Sequence, residues 1–105
     1  MGTEEAWRSL CLVMHPTRSE IIEKLAEREM LLPDLERETG KSRSTISYHL
    51  DVLEREGIVE SDYRVMEDWR TRGKFGKVYR AKKDILEEHL RAVQEHIERL
   101  GQKCR

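Results

Sequence analysis

Apolar side chains recur at intervals of three or four residues along most of the chain, a spacing typical of helices that bury one face. Two later stretches, 58–67 and 76–81, are rich in Val, Ile and Tyr with partial alternation, which favours β-strands. A short apolar run at 30–32 could add a brief strand. The pattern predicts helices over 3–14, from Thr17 through the stripe of Ile21, Ile22 and Leu25, over 34–39, over 42–56 and over 84–101.

The residues between these stretches are suited to ending and starting helices. His15-Pro16 breaks the first helix, and Gly40 stops the third. Ser42 and Asp84 are good N-cap residues, and Gly57 can supply a left-handed cap after the fourth helix. The predicted order is helix, helix, short strand, helix, helix, hairpin and helix, which is an α+β fold.

Length and charge narrow the picture. A chain of 105 residues has room for one compact domain, here 1–105. The net charge of −1 argues mildly against a nucleic-acid partner, but the charge is unevenly distributed. The stretch 64–83 carries eight Lys or Arg against two acidic residues. Such a cationic segment on an acidic body focuses attraction for a phosphate backbone on one place.

The helix over 42–56 has one apolar and one polar face. If Ile46, Leu50 and Leu53 point inward, the helical period turns a second set of side chains outward. That outward set is predicted to contain Ser44, Tyr48, Asp51 and Arg55, with Thr45 and Ser47 at its flanks.

These residues carry a family resemblance. The run from Ser42 to Leu50, S-x-S-T-I-S-x-H-L, is followed by Leu53-x-x-x-Gly57-Ile58-Val59, and Thr17-Arg18 precedes the Ile21-Ile22 stripe. Over about 16–83 the chain resembles ArsR-type winged helix-turn-helix transcriptional regulators. Glu36, where a small residue is usual, and Lys41, where an apolar one is common, depart from that pattern.

The resemblance implies a recognition helix over 42–56 that enters the major groove of double-stranded DNA, and a basic wing over 64–83. Arg43 and Tyr48 are the leading candidates for contacts with DNA. Solvated helix residues, plain caps and a mobile loop are the alternatives, and for His49 packing is as good an interpretation as base contact. The predicted DNA-binding residues are Ser42, Arg43, Ser44, Thr45, Ser47, Tyr48, His49, Arg70, Arg72, Lys74 and Lys77.

The first and last helices are predicted to form a homodimer. The last helix spaces its apolar residues as four, three, four, three, which makes a narrow seam that one small domain cannot wholly cover. Packing of this seam inside the same chain is the alternative. The predicted dimer-interface residues are Trp7, Leu10, Cys11, Met14, Leu86, Leu90, Val93, Ile97 and Leu100.

Other chemistry is not expected from this sequence. The stretch 31–34 lacks the C-x-C pair that many ArsR proteins use for thiophilic metals, and His89 and His96 are spaced differently from the family's terminal-helix site. We therefore expect no metal, no cofactor and no enzymatic activity, and the effector stays unknown. Cys11 and Cys104 form no C-x-x-C motif. The favoured interpretation is a small buried core residue and a thiol in a frayed tail, and an oxidation switch between subunits is the alternative.

Two further expectations concern the setting of the protein. With no long apolar stretch and no signal-peptide pattern, the protein is expected in the cytoplasm. The absence of Asn and the abundance of Glu, Lys and Arg are compatible with a thermophilic source.

The sequence leaves two functions open. The first is a sequence-specific DNA-binding regulator, more often a repressor. The second is a winged-helix protein-interaction module of a larger assembly, which the acidic remainder of the chain favours.

Overall fold

The computed structural model describes residues 3–65 and 75–104. Its elements follow the predicted order, with five helices and three strands in the described part. They are α1 (Thr3–Val13), α2 (Pro16–Glu27), β1 (Met30–Leu31), α3 (Leu32–Thr39), α4 (Arg43–Arg55), β2 (Val59–Val65), β3 (Phe75–Ala81) and α5 (Lys83–Lys103).

The strands form one antiparallel sheet in the order β1-β3-β2. β3 pairs with β1 through Met30 and Tyr79, and with β2 from Val59 opposite Ala81 up to the Val65–Phe75 pair. β2 and β3 are therefore the two arms of a hairpin. This confirms the α+β winged-helix fold class, while the tip of the hairpin, 66–74, lies outside the described residues.

The core lies between the sheet and the three helices α2, α3 and α4. The apolar stripes predicted from the sequence meet there, and each of their central side chains is at most 1% exposed. Burying one such side chain stabilises the fold by about 1.5–3 kcal/mol. The central residues are Ile21, Met30, Leu35, Ile46, Leu50, Leu53 and Ile58.

The helix starts differ in detail from the prediction. α2 begins at Pro16, and the side chain of His15 caps it by accepting a hydrogen bond from the Thr17 N–H at 3.2 Å. α5 begins at Lys83, so Asp84 is a first-turn residue and not the N-cap. A carboxylate at that place still favours the positive end of the helix dipole.

α1 and α5 pack along each other at one side of the core. Ser9 and His89 tie them together, with 2.7 Å between Oγ and Nδ1, and Ala6 and Ala92 are buried nearby. Among the described helices, none is both long and apolar enough to cross a membrane.

Candidate nucleic-acid interface

A tight turn joins α3 to α4. Gly40 adopts a left-handed φ of 70°, and its N–H donates to the carbonyl of Glu36 at 2.9 Å. Ser42 then caps α4 by accepting a hydrogen bond from the Thr45 N–H at 3.3 Å. These local bonds fix where the second helix starts, and the two helices form a helix-turn-helix.

The outer face of α4 is open. Ile46, Leu50 and Leu53 point into the core. Tyr48 is 59% exposed, and Ser44, Asp51 and Arg55 are exposed as well. The predicted division of this helix into an inner and an outer face is confirmed.

The predicted DNA-contacting residues of α4 fall into three groups. Ser42, Arg43, Ser44 and Tyr48 are exposed at the start and along the outer face of the helix. Thr45 and Ser47 are half-buried at its flanks. His49 is discussed separately, because its position differs from that of the others.

His49 does not lie on the outer face. It is 6% exposed, and its ring packs 4.5 Å from the ring of His15, centroid to centroid. Burial lowers the pKa of His49, and the nearby charges of His15 and Arg18 lower it further. Its burial favours the packing interpretation of His49, and contact of His49 with a base stays a prediction.

Arg43 is held by an acidic residue across the turn. Its Nε donates to Oε1 of Glu36 at 2.8 Å. In the sequence Glu36 stands out only as a departure from the family pattern. The signal that could have identified the pair is the opposite charge of two residues that flank the turn on facing helices.

In the described part of the wing, positively charged side chains lie beside acidic ones. Lys77 lies 3.8 Å from a carboxylate oxygen of Glu54, and its ammonium group sits 5.3 Å from the ring centre of Tyr79. Burial lowers the pKa of Lys77, but Tyr79, Glu54 and Tyr63 together raise it by more, so the net shift is upward. The charge count over 64–83 does not include Glu54, which the fold brings beside Lys77.

Two arginines of the hairpin join a network of ion pairs with acidic residues. Arg64 donates to Glu29 at 2.6 Å, and Arg80 donates to Glu60 at 2.8 Å and to Asp62 at 3.1 Å. The hydrogen bond from Arg64 lowers the pKa of Glu29, and the one from Arg80 lowers the pKa of Asp62.

The net charge counted over 64–83 therefore overstates the positive charge that is free to bind a partner. Folding brings acidic residues of β2 and α4 beside it, together with Glu29, which lies just before β1. Three of the predicted DNA-binding residues of the wing, Arg70, Arg72 and Lys74, lie outside the described residues. Their proposed contact with DNA stays a prediction.

The predicted dimer-interface residues separate into two sets. Leu10, Leu86 and Val93 are half-buried within the chain, and Leu86 packs against the core. The exposed set contains large apolar side chains on α1, directly after α1 and on α5, which are Trp7, Met14, Leu90, Ile97 and Leu100, together with Cys11.

Among the described residues, no group of three or more His, Cys, Asp or Glu side chains is arranged to hold a metal ion. His89, one of the two histidines of α5 that were weighed as ligands, faces Ser9 of α1.

Comparison with known proteins finds a family that part of the chain resembles. Residues 15–61 match the family model described as "Bacterial regulatory protein, arsR family". Among curated proteins, none matches the sequence.

Solved structures share the fold over most of the chain. A possible transcriptional regulator for arsenical resistance is 25% identical with a TM-score of 0.60, over 88% of this chain and 82% of that one. The transcriptional repressor BigR from Xylella fastidiosa is 24% identical with a TM-score of 0.66, over 91% and 87%. A transcriptional regulator homologue from Pyrococcus horikoshii OT3 is 19% identical with a TM-score of 0.64, over 93% and 98%.

The turn at Gly40, the open face of α4 and the β2–β3 hairpin all lie in or next to the matched segment. Over residues 15–61 the chain is similar to the arsR family of bacterial regulatory proteins, and the resemblance drawn from the sequence is confirmed.

Proposed function

We propose that this protein is a sequence-specific regulator of transcription that binds double-stranded DNA as a homodimer and acts as a repressor. The observation that carries the proposal is the open outer face of α4, where short polar side chains surround Tyr48 at the second helix of a helix-turn-helix. Short side chains allow the helix a close approach to base edges in the major groove.

The residues of the interface take different roles in this proposal. Arg43 donates to a guanine, and Ser42, Ser44 and Ser47 bond to bases or phosphates. Tyr48 reaches a phosphate or a thymine methyl group. These contacts come from the amino-terminal half of α4, the part of a recognition helix that enters the groove.

The wing supplies affinity and not specificity. Arg70, Arg72 and Lys74 grip phosphates, or a narrow minor groove, beside the recognition helix. Lys77 contributes less, because Glu54 already opposes its charge.

The homodimer follows from the exposed apolar side chains of α1 and α5. Trp7 on α1 and Met14, which directly follows α1, are seven residues apart, and Leu90 and Ile97 on α5 have the same spacing. A second copy of the chain offers a matching pair of apolar stripes, so a two-fold interface buries both at once. Dimerisation would also present two copies of α4 to one duplex.

The repressor role is supported by one of the structural neighbours, which is described as a transcriptional repressor. Occupation of an operator by a DNA-bound dimer blocks access of other proteins to the same DNA, and this requires no contact beyond the ones described above.

Selection from a pool of random duplexes, followed by binding measurements on the selected duplex, tests the proposal. We expect log affinity to fall linearly with log salt, because phosphate contacts release counterions. Replacing Arg72 and Lys74 by alanine should weaken all duplexes about equally and flatten this slope, whereas Arg43→Ala should reduce base preference. Arg99→Ala, on α5, is the matched control for loss of a positive charge.

A winged-helix module that binds another protein is the second candidate, and the ion pairs that neutralise the hairpin arginines favour it. Absence of salt-dependent binding to any duplex would support this candidate and contradict the first.

A further inference from the structure

The Glu36–Arg43 pair joins the two helices of the helix-turn-helix at the place where base contact is proposed. The carboxylate of Glu36 is the more sheltered partner, with its side chain 29% exposed, whereas the Arg43 side chain is 66% exposed. Glu36 lies on α3, and Arg43 is the first residue of α4. The acid therefore stands behind the arginine, on the protein side.

The contact engages one particular edge of the guanidinium group. Nε donates to Glu36 at 2.8 Å, and this bond does not use the adjacent edge of the group, which is formed by Nη1 and Nη2. Two parallel N–H groups at this edge match the O6 and N7 acceptors of guanine in the major groove. An arginine held through Nε therefore keeps the edge that a bidentate base contact uses.

We propose that Glu36 is a specificity-determining positioning residue, an inference that rests on the proposed function. Glu36 holds Arg43 in place for contact with a guanine and keeps it from binding phosphates indiscriminately. Without the acid, the long arginine side chain would sample many rotamers and bind the nearest phosphate. With it, a non-specific phosphate contact must compete with an existing ion pair, whereas the guanine contact uses the free edge.

The size of the effect follows from the exposure of the pair. Exposed ion pairs measured in other proteins are weak, and their strength corresponds to about a two- to fivefold change in an equilibrium constant. We therefore expect Glu36 to improve discrimination between the selected duplex and a random duplex by about two- to fivefold per half-site.

Glu36→Gln tests the inference, since glutamine keeps the length of the side chain and removes its charge. Glu38→Gln is the matched control, because Glu38 lies on the same helix but pairs with Arg28 and Lys24. Affinities for the selected duplex and for a random duplex of equal length are measured for both variants. Glu36→Gln should bind the random duplex more tightly and lower the affinity ratio, while Glu38→Gln should leave the ratio unchanged.

The same substitution made in an Arg43→Ala protein distinguishes positioning of Arg43 from simple repulsion between the Glu36 carboxylate and DNA. Loss of any acidic charge near DNA strengthens binding to all duplexes by a common factor and leaves the ratio unchanged. In an Arg43→Ala background, Glu36→Gln should therefore have no effect on the ratio. Thermal unfolding of each variant without DNA checks that folding is preserved.

Three results would overturn the inference. The first is an equal gain on both duplexes for Glu36→Gln in the otherwise unchanged protein. The second is a loss of discrimination that persists when Arg43 is alanine. The third is wild-type protein that binds no duplex in a salt-dependent manner, which overturns the proposed function as well and is thereby distinguishable from the first two.

Discussion

At the scale of single residues, His49 couples the stability of the domain to pH. Burial and the nearby His15 and Arg18 hold the pKa of His49 below its ordinary value. The unfolded chain takes up a proton near pH 6.5, whereas the folded chain resists it, so acidification favours unfolding. We predict that the stabilising effect of neutral His49 is complete above about pH 7 and is lost as the pH falls below about 6.5.

The comparison of wild type with His49→Phe measures this contribution. Phenylalanine keeps an aromatic ring beside His15 and cannot be protonated. Denaturant unfolding at about pH 7.5 and about pH 5.5 should show a larger loss of the free energy of unfolding in wild type than in the variant. An equal loss in both proteins would contradict the prediction.

The sequence alone could not predict that His49 is buried or that Glu36 forms an ion pair with Arg43. The helical period puts position 49 at the margin between the inner and the outer face of α4, where a rotation of a few degrees decides burial. His15, at the start of α2, lies beside His49 only because of the way α2 packs against α4. In contrast, Ile46, Leu50 and Tyr48 lie near the centres of their faces, and the period was enough to place them.

At the scale of elements, the sequence predicted well where helices end. After α4 the chain forms a Schellman motif, with Ile58 N–H bonded to Leu53 carbonyl and Gly57 N–H to Glu54 carbonyl, each at 3.0 Å. Gly57 adopts a φ of 77° there. The start of α5 was less predictable, because Lys82 takes the N-cap position without a side-chain hydrogen bond.

Replacing glycine by alanine at two positions should give opposite results. At Gly57 the added methyl group would meet only Ile85, at 4.0 Å, so there is no steric clash. The left-handed backbone is unfavourable for alanine, and we expect the free energy of unfolding to fall by about 1–2 kcal/mol. At Gly101, inside α5, a Cβ meets no described atom within 4 Å, and alanine should stabilise the helix by up to about 0.5 kcal/mol. Denaturant unfolding of both variants checks the signs, and a neutral Gly57→Ala would show that the turn rearranges.

At the scale of the whole molecule, the chain is elongated. Its extents are 61 × 24 × 20 Å and its radius of gyration is 16.4 Å, against about 13 Å for a compact domain of this length. The 21-residue α5 alone spans roughly 31 Å, and only Ala92 on it is fully buried. A helix of this length is stabilised mainly by packing of its apolar face, so the exposed Ile97 and Leu100 predict that a second chain covers them.

Charges on this apolar stripe should dissociate the proposed dimer. Ile97→Glu combined with Leu100→Glu removes four apolar side chains from a two-fold interface, and we expect the dimer dissociation constant to rise by at least about a hundredfold. Sedimentation velocity over a range of concentrations measures this, with Gln94→Glu, on an exposed position of the same helix, as the control. Wild-type protein that stays monomeric at all concentrations would contradict the prediction.

The same variants connect assembly to DNA binding. In a dimer, two recognition helices reach half-sites about 34–36 Å apart on one face of the duplex, and binding of the second half-site becomes intramolecular. The double glutamate variant should therefore lose far more affinity for a duplex with two correctly spaced half-sites than for a single half-site, because α4 itself is unchanged. Equal losses on the two duplexes would mean that α5 supports α4 within one chain and does not pair two chains.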